Sequence, residues 1–264
     1  VLHADDLVSR LREKPVIGRE IKVFKETTST NDVVGRLARD GVPEGAVVFS
    51  ESQTKGRGRL GRCWVSAPGK GLWFSVLLRP DMLPSEVTRL TIMVGAALVA
   101  GIQRETHLPV DIKWPNDICF EGRKIAGILT ELNAELDHVN YVVLGIGINV
   151  NMVASDFPPE LKHSATSLFL ETGHFVPRAD LATTILREID VRYRQLNSND
   201  FDQVADEWQH HCSTIGKEIS VRMGDQMIQG RAESLDSDGA LLLRGEHGQL
   251  ERIIGGDVTL RASG

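Results

Sequence analysis

The sequence predicts an α+β protein: a mixed β-sheet with flanking helices over residues 1–214, then a small β-barrel over residues 215–264. Three observations carry this. Helix-spaced and strand-like apolar segments are interspersed up to about residue 195. From Gly216 onward the pattern changes to short strands at close spacing, separated by turns. The composition, 41% hydrophobic and 25% charged, is that of a globular chain able to bury a core without disulfides or metals.

The elements follow in order. Residues 4–13 form a short helix with Leu7 and Leu11 on one face, and Ile21 to Phe24 alternate as a strand. Ser29-Thr30-Asn31-Asp32 is a run of N-cap residues ahead of Val33, Val34, Leu37 and Ala38 at helical spacing, and Gly41 ends that helix. Ala46 to Phe49 and Leu72 to Leu78 read as strands, the second ended by Pro80. A helix capped by Ser85 runs to about Glu105; it is apolar almost all round and belongs in the core. Val110 to Trp114 is a strand stopped by Pro115, and Lys124 to Leu132 and Tyr141 to Val150 are two more. A loop spans Asp156 to Pro159. Asp180 then opens a helix with Leu181, Ile185, Ile189 and Tyr193 on one stripe and Glu188–Arg192 as an i,i+4 pair. The barrel strands are Ile219–Met223, Met227–Ser234, Ala240–Arg244, Gln249–Ile253 and Val258–Arg261.

The net charge of −6 makes the chain a poor general binder of nucleic acid, so any basic chemistry must be local. Cys63, Cys119 and Cys212 are few, odd in number and far apart, which argues for a reducing compartment, the cytoplasm. The N-terminus lacks the apolar run of a signal peptide. The longest apolar stretch, Ile92 to Ile102, falls short of the roughly 20 residues of a membrane span. The chain opens on Val1, which leaves room for a preceding segment.

The chemistry concentrates in Gly56-Arg57-Gly58-Arg59-Leu60-Gly61-Arg62. Lys55 to Arg62 holds four cations, three glycines and no acid. Glycine lets backbone N–H groups approach a ligand, and arginine supplies planar forks for phosphate or carboxylate oxygens. Such a loop suits a polyphosphate. It also matches the dinucleotide fingerprint G-x-G-x-x-G, with Asp81 20 residues beyond Gly61. That fingerprint needs a helix directly after the glycines, and Cys63-Trp64-Val65-Ser66-Ala67-Pro68-Gly69-Lys70-Gly71 cannot supply one. Gly69-Lys70 is not a P-loop either, because Trp64 stands where its first glycine belongs. A solvated basic loop is the plain alternative.

Two further constellations stand downstream. Lys113-Trp114-Pro115-Asn116-Asp117 puts Asn116 and Asp117 at a strand end, and Lys124 follows with Gly127 just beyond. Lys124 is either an ordinary surface lysine or a cation for an activated acyl phosphate. Gly145-Ile146-Gly147-Ile148-Asn149-Val150-Asn151 is either a buried strand with two packing glycines or a place of close ligand approach.

Together, Ser29-Thr30-Asn31, Gln53, Gly56 to Arg62 with Trp64, Lys113 to Asp117, Lys124 to Leu129 and Gly145 to Asn149 resemble, in order and spacing, the biotin–protein ligases. The resemblance covers residues 27 to about 195, and the pair GRGRxGRxW and KWPND is its specific mark. It implies the class II synthetase or biotin–lipoate ligase-like fold with an SH3-like C-terminal barrel. It also implies a two-step reaction. Biotin's carboxylate attacks the α-phosphate of ATP, brought with Mg²⁺, to give biotinyl-5′-AMP and pyrophosphate. A lysine of the biotin carboxyl carrier protein of acetyl-CoA carboxylase then takes the biotinyl group and releases AMP.

By the same resemblance, Ser29, Thr30, Asn31 and Gln53 should bind biotin around its ureido group, and Gly56, Arg57 and Arg59 should close over biotin and phosphate. Arg59 should retain the adenylate. Lys124 should touch the biotin carboxylate and the phosphate in both steps, and Asn116 and Asp117 should face the phosphate or the Mg²⁺ of ATP. Gly127, Gly145 and Gly147 should let biotin lie against the strands. Arg62, Trp64 and Asn149 complete the nucleotide side; no structural metal site is expected. Leu60 and Cys63 occupy variable places, and Cys63 is expected to be an ordinary buried cysteine. Glycines and clustered like charges should leave the empty loop mobile. Many bacterial relatives carry an N-terminal helix-turn-helix domain. About 26 residues precede the Ser29 motif, too few for one, so no DNA partner is expected. A homodimer through a sheet edge or the barrel is open. The competing readings are a lipoate–protein ligase with the same adenylate logic and a non-catalytic biotin-binding regulator.

Overall fold

A computed structural model describes residues 1–11, 15–198 and 200–260. Among the described residues, twelve strands and six α-helices form two sheets and their helical cover. The larger sheet takes β1 (Glu20–Phe24), β2 (Ala46–Ser50), β3 (Gly71–Leu78), β7 (Val139–Asn149), β6 (Arg123–Ala134), β5 (Asp117–Phe120) and β4 (Asp111–Lys113) in that spatial order. Only β1 and β2 run parallel; the other pairings are antiparallel, so the sheet is mixed.

One face of this sheet carries α3 (Thr88–Thr106), α5 (Arg178–Asn197) and α6 (Phe201–His210), which pack on one another. Helix α3 is buried along most of its length because its apolar residues leave no polar face. The segment Pro84–Thr106 is, by length and composition, apolar enough to cross a membrane, which corrects the shorter stretch read from the sequence; here it is 67% buried as a core helix. The other face is covered at one end by α2 (Thr30–Arg39), whose Val33, Val34 and Ala38 pack on Val48, Leu77 and Val143. That choice of end leaves the sheet open beside the N-terminus of α2.

The second sheet is antiparallel, in the order β11 (Leu250–Ile253), β10 (Leu241–Arg244), β9 (Gln226–Leu235), β8 (Glu218–Met223), β12 (Asp257–Leu260). It touches the larger unit through Arg89, which donates to Ser237 O at 2.9 Å, and through Gln209, which accepts from Leu235 N–H at 2.9 Å.

Several boundaries differ from expectation. The first helix is α1 (Ala4–Arg10); the end predicted for it, at residues 12–13, lies outside the described residues, as does Arg261. A 3-10 turn at Pro84–Glu86 precedes α3, its Leu83 N–H bonded to Glu86 at 2.8 Å, so Ser85 is not the cap. The loop at 156–159 lies between two 3-10 turns, Ala154–Asp156 and Pro159–Leu161. Strand β5, the short α4 (Leu168–Thr172) and α6 were not expected. The Glu188–Arg192 pair is real but buried, and Glu207 of α6 completes it at 2.5 Å.

The N-terminal segment is fastened by a buried ion pair. Arg178 lies 2.8 Å from Glu51, both under 10% exposed, and the Leu2 N–H bonds the same carboxylate at 2.6 Å. Burial acts to raise the Glu51 value, but the bonds from Arg178 and Leu2 hold it below the usual carboxylate range. A depressed value means stability that is full above the unfolded-state value of about 4.3 and lost as pH falls through the folded-state one. Arg178→Met strands the carboxylate and is expected to cost about 3–5 kcal/mol in denaturant unfolding at pH 7. The loss should shrink in acid as Glu51 protonates.

Candidate active site

The anion loop is a closed hairpin. Gly58 N–H bonds Arg62 O at 2.7 Å and Trp64 N–H bonds Gly56 O at 2.9 Å, around a 3-10 turn at Arg59–Gly61. A Cβ on Gly56 would stand 2.5 Å from Trp64 O, so glycine is required for the hairpin to close. Gly56 therefore shapes the loop's base and does not line the cleft beneath it, unlike the expectation.

That cleft holds about 650 Å³ and lies between the hairpin, the N-terminus of α2, strands β6 and β7, and the edge of the small barrel. The other residues given a binding or catalytic role line it: Ser29, Thr30, Asn31, Gln53, Arg57, Arg59, Arg62, Trp64, Asn116, Asp117, Lys124, Gly127, Gly145, Gly147 and Asn149.

At one end, polar side chains interlock. Gln53 Oε1 accepts from Thr30 N–H at 2.8 Å and from its hydroxyl at 3.1 Å, while Gln53 Nε2 donates to Ser66 at 3.2 Å. Ser75 Oγ lies 2.7 Å from Thr30 Oγ1 and 2.5 Å from Asn31 Oδ1. Ser66 and Ser75 were missed by sequence reasoning. The available signal was a lone hydroxyl within the apolar run Leu72 to Leu78, where Ser75 is fully buried. Asn31 and Trp64 line the cleft, and their Nδ2 and Nε1 donors are buried with no acceptor among the described residues. Each unbonded donor costs on the order of 1–3 kcal/mol, which an acceptor ligand would recover.

The glycines form the floor. Gly127 and Gly147 are register partners on adjacent strands, and Gly145 shares the face of Gly147. The expectation left these open to a ligand, but protein side chains fill the space. A Cβ on Gly147 would come 2.4 Å from the Trp64 indole, and one on Gly145 2.3 Å from Asn31 Oδ1. Gly147→Ala is expected to displace Trp64 at about 1–3 kcal/mol and to weaken ligand binding; unfolding and titration calorimetry together check it.

At the other end the cations gather. Lys124 Nζ lies 2.6 Å from Asp117 Oδ1 and 5.2 Å from the centroid of the Trp64 ring. Arg59 donates to Asn116 Oδ1 at 3.0 Å, and Asn116 donates in turn to Ile128 O at 2.7 Å, which fixes its amide. Burial pulls the Arg59 guanidinium below the usual arginine value, against the pull of Asp117 and Asp257. Arg57 turns away, 2.7 Å from Asp32 and 3.1 Å from Glu131; burial opposes its charge, but those carboxylates raise its value overall. Arg62 pairs with Asp257 of the barrel. Like-charge repulsion, one reason given for a mobile loop, is offset at Arg57 and Arg62, which pair with carboxylates, but not at Arg59, whose partner is the neutral Asn116 amide and which still feels the Arg62 charge. Asn149 lines the cleft but spends its amide on Thr166 O at 2.9 Å. Cys63 is exposed and lines the cleft, correcting the expectation of a buried cysteine. Cys119 and Cys212 are the buried thiols, and Cys119 is pushed up to about 12 by burial and the nearby Asp117 and Asp111 charges.

A cationic hairpin over an apolar floor, with a lysine–carboxylate pair at a strand end, defines the class of ligases that activate a carboxylate on a nucleotide. The chain belongs to the biotin protein ligase family. The family model described as Biotin/lipoate A/B protein ligase family matches residues 23–149, and that described as Biotin protein ligase C terminal domain matches residues 214–261. The chain is 38% identical to the Bifunctional ligase/repressor BirA of Bacillus spizizenii over 93% of this chain and 75% of that protein. It is 34% identical to the Biotin--[acetyl-CoA-carboxylase] ligase of Mycobacterium tuberculosis over 85% of this chain and 83% of that protein. Among solved structures, the biotin protein ligase from Aquifex aeolicus in complex with biotin and ATP aligns with a TM-score of 0.78 and 31% identity, over 93% of this chain and 100% of that one. The mixed sheet with flanking helices and the SH3-like C-terminal unit are those of this family.

Proposed function

We propose that Arg59 and Lys124 carry the two steps of biotin ligation in this chain. The chain is an ATP-dependent biotin–[acetyl-CoA-carboxylase] ligase. It activates biotin as biotinyl-5′-AMP and transfers it to a lysine of a biotin carboxyl carrier protein. The observation that carries the residue roles is the convergence of Lys124 and Arg59 on Asn116 and Asp117 above the Gly127–Gly147 floor.

Biotin's ureido group fits the polar end, where Ser29, Thr30 and Gln53 offer hydroxyl and amide partners and Asn31 Nδ2 is unspent. Its ring and chain take the glycine floor once Trp64 lifts, and its carboxylate reaches Lys124. In the first step the carboxylate oxygen attacks the α-phosphorus and pyrophosphate leaves. Lys124 screens the two anions as they meet, and Arg59 grips the phosphate. Asp117 holds Lys124 and would be the carboxylate available to the Mg²⁺ that arrives with ATP. In the second step the acceptor amine attacks the acyl carbon, AMP leaves, and the amine gives up a proton. Arg57 reaches the phosphates only by exchanging Asp32 and Glu131 for them, so the loop should tighten on ligand.

Transfer of labelled biotin to a carrier domain, with and without ATP, tests the assignment. ATP-dependent labelling of one lysine supports it. Labelling by lipoate alone would move the chain to a lipoate ligase.

A further inference from the structure

Four large apolar side chains stand exposed around the mouth of the cleft. Leu60 is 70% exposed on the hairpin tip, and Ile254, Met227 and Met223 are 60%, 48% and 36% exposed on the barrel. They ring one short segment, residues 255–257. Arg59 lies against Gly255, next to Ile254. Met223 lies beside Gly256, and Met227 lines the cleft. Leu60 sits between Arg59 and Arg62, and Arg62 pairs with Asp257. Leu60 also has φ 55°, a left-handed backbone that leucine seldom adopts. Arg222, opposite Asp257 in the barrel register, lines the cleft and makes no ion pair among the described residues.

We propose that this rim, Leu60 on one lip and Met223, Met227 and Ile254 on the other, docks the acceptor protein. The inference rests on the ligase reading. A cleft of about 650 Å³ admits a lysine side chain but not the domain that carries it. The amine must enter while the surrounding domain rests on the two lips. The rim fixes the chemistry of that surface: apolar residues flanking the lysine, and acidic residues facing Arg222. Flexible methionines suit a partner whose contour varies.

The test uses the full chain with Ile254→Glu and Met223→Glu made singly, since neither residue belongs to the binding or chemical machinery. With a purified biotin carboxyl carrier domain, each variant should raise the KM for that domain about tenfold. Biotin-dependent exchange of pyrophosphate into ATP, and biotinyl transfer to hydroxylamine, should match the wild type. Ile254→Leu should restore the KM. Leu136→Glu, on the distant β6–β7 hairpin, should leave it unchanged. An unchanged carrier KM in both rim variants overturns the proposal while intact exchange leaves the ligase reading standing. So does a wild-type dimer in sedimentation that Ile254→Glu splits without moving the carrier KM, because the rim would then seat a second copy of this chain.

Discussion

Arg59→Gly is expected to yield a folded enzyme that makes biotinyl-5′-AMP and lets it escape. The side chain is held by Asn116 over the cleft, and burial has already stripped part of its hydration, so it is poised to bind a phosphate strongly. A charge-assisted bond of this kind contributes about 1.5–3 kcal/mol, so its loss should speed adenylate release by about 10- to 100-fold. The released mixed anhydride acylates exposed lysines without regard to sequence. Mass spectrometry of a bystander protein incubated with the variant, biotin and ATP should find biotin on many lysines. Labelling confined to the carrier lysine would remove Arg59 from the role of retaining the intermediate.

Lys124→Ala is expected to slow adenylate formation by about 10²–10³-fold, the usual consequence of deleting a preorganised charge at a reacting oxygen. Its ammonium is the cation nearest Asp117, lies over the edge of Trp64 and stands beside Gly127. Stability should change little, because Asp117 and Lys124 are both partly open to water. Rapid quench of the first turnover separates this from a binding defect: the rate should fall while biotin affinity changes little. An unaltered single-turnover rate would show that Lys124 plays no part in the first step.

The parts of the site legible in the sequence were those in which chemistry crowds into a few consecutive residues. Lys55 to Arg62 announces an anion site because four cations share a glycine-rich loop, and Lys113 to Asp117 announces a strand end because proline stops the strand. Contacts between distant segments were not legible. Ser75 meets Thr30 only because β3 passes beside the N-terminus of α2, and nothing local to Leu72–Leu78 says so. Arg57 was read as a phosphate ligand, but its partners Asp32 and Glu131 lie 25 and 74 residues away. The glycines at 145 and 147 were read as room for a ligand, and that room is shared with Asn31 and Trp64. The barrel was visible as a run of turns and short strands, yet its contribution of Arg222, Met227 and Asp257 to the cleft depends on docking that no spacing encodes. Helix α6 did carry a signal, with Phe201, Val204, Ala205 and Trp208 at helical spacing and buried.

One cleft, under the Gly56–Arg62 hairpin, is expected to join biotin to AMP. Exchange of labelled pyrophosphate into ATP tests it most directly, because only reversible formation of an acyl adenylate drives that exchange. Exchange should require biotin, fail with lipoate, and collapse in Lys124→Ala. Exchange driven by lipoate instead of biotin, or exchange undiminished in Lys124→Ala, would contradict it.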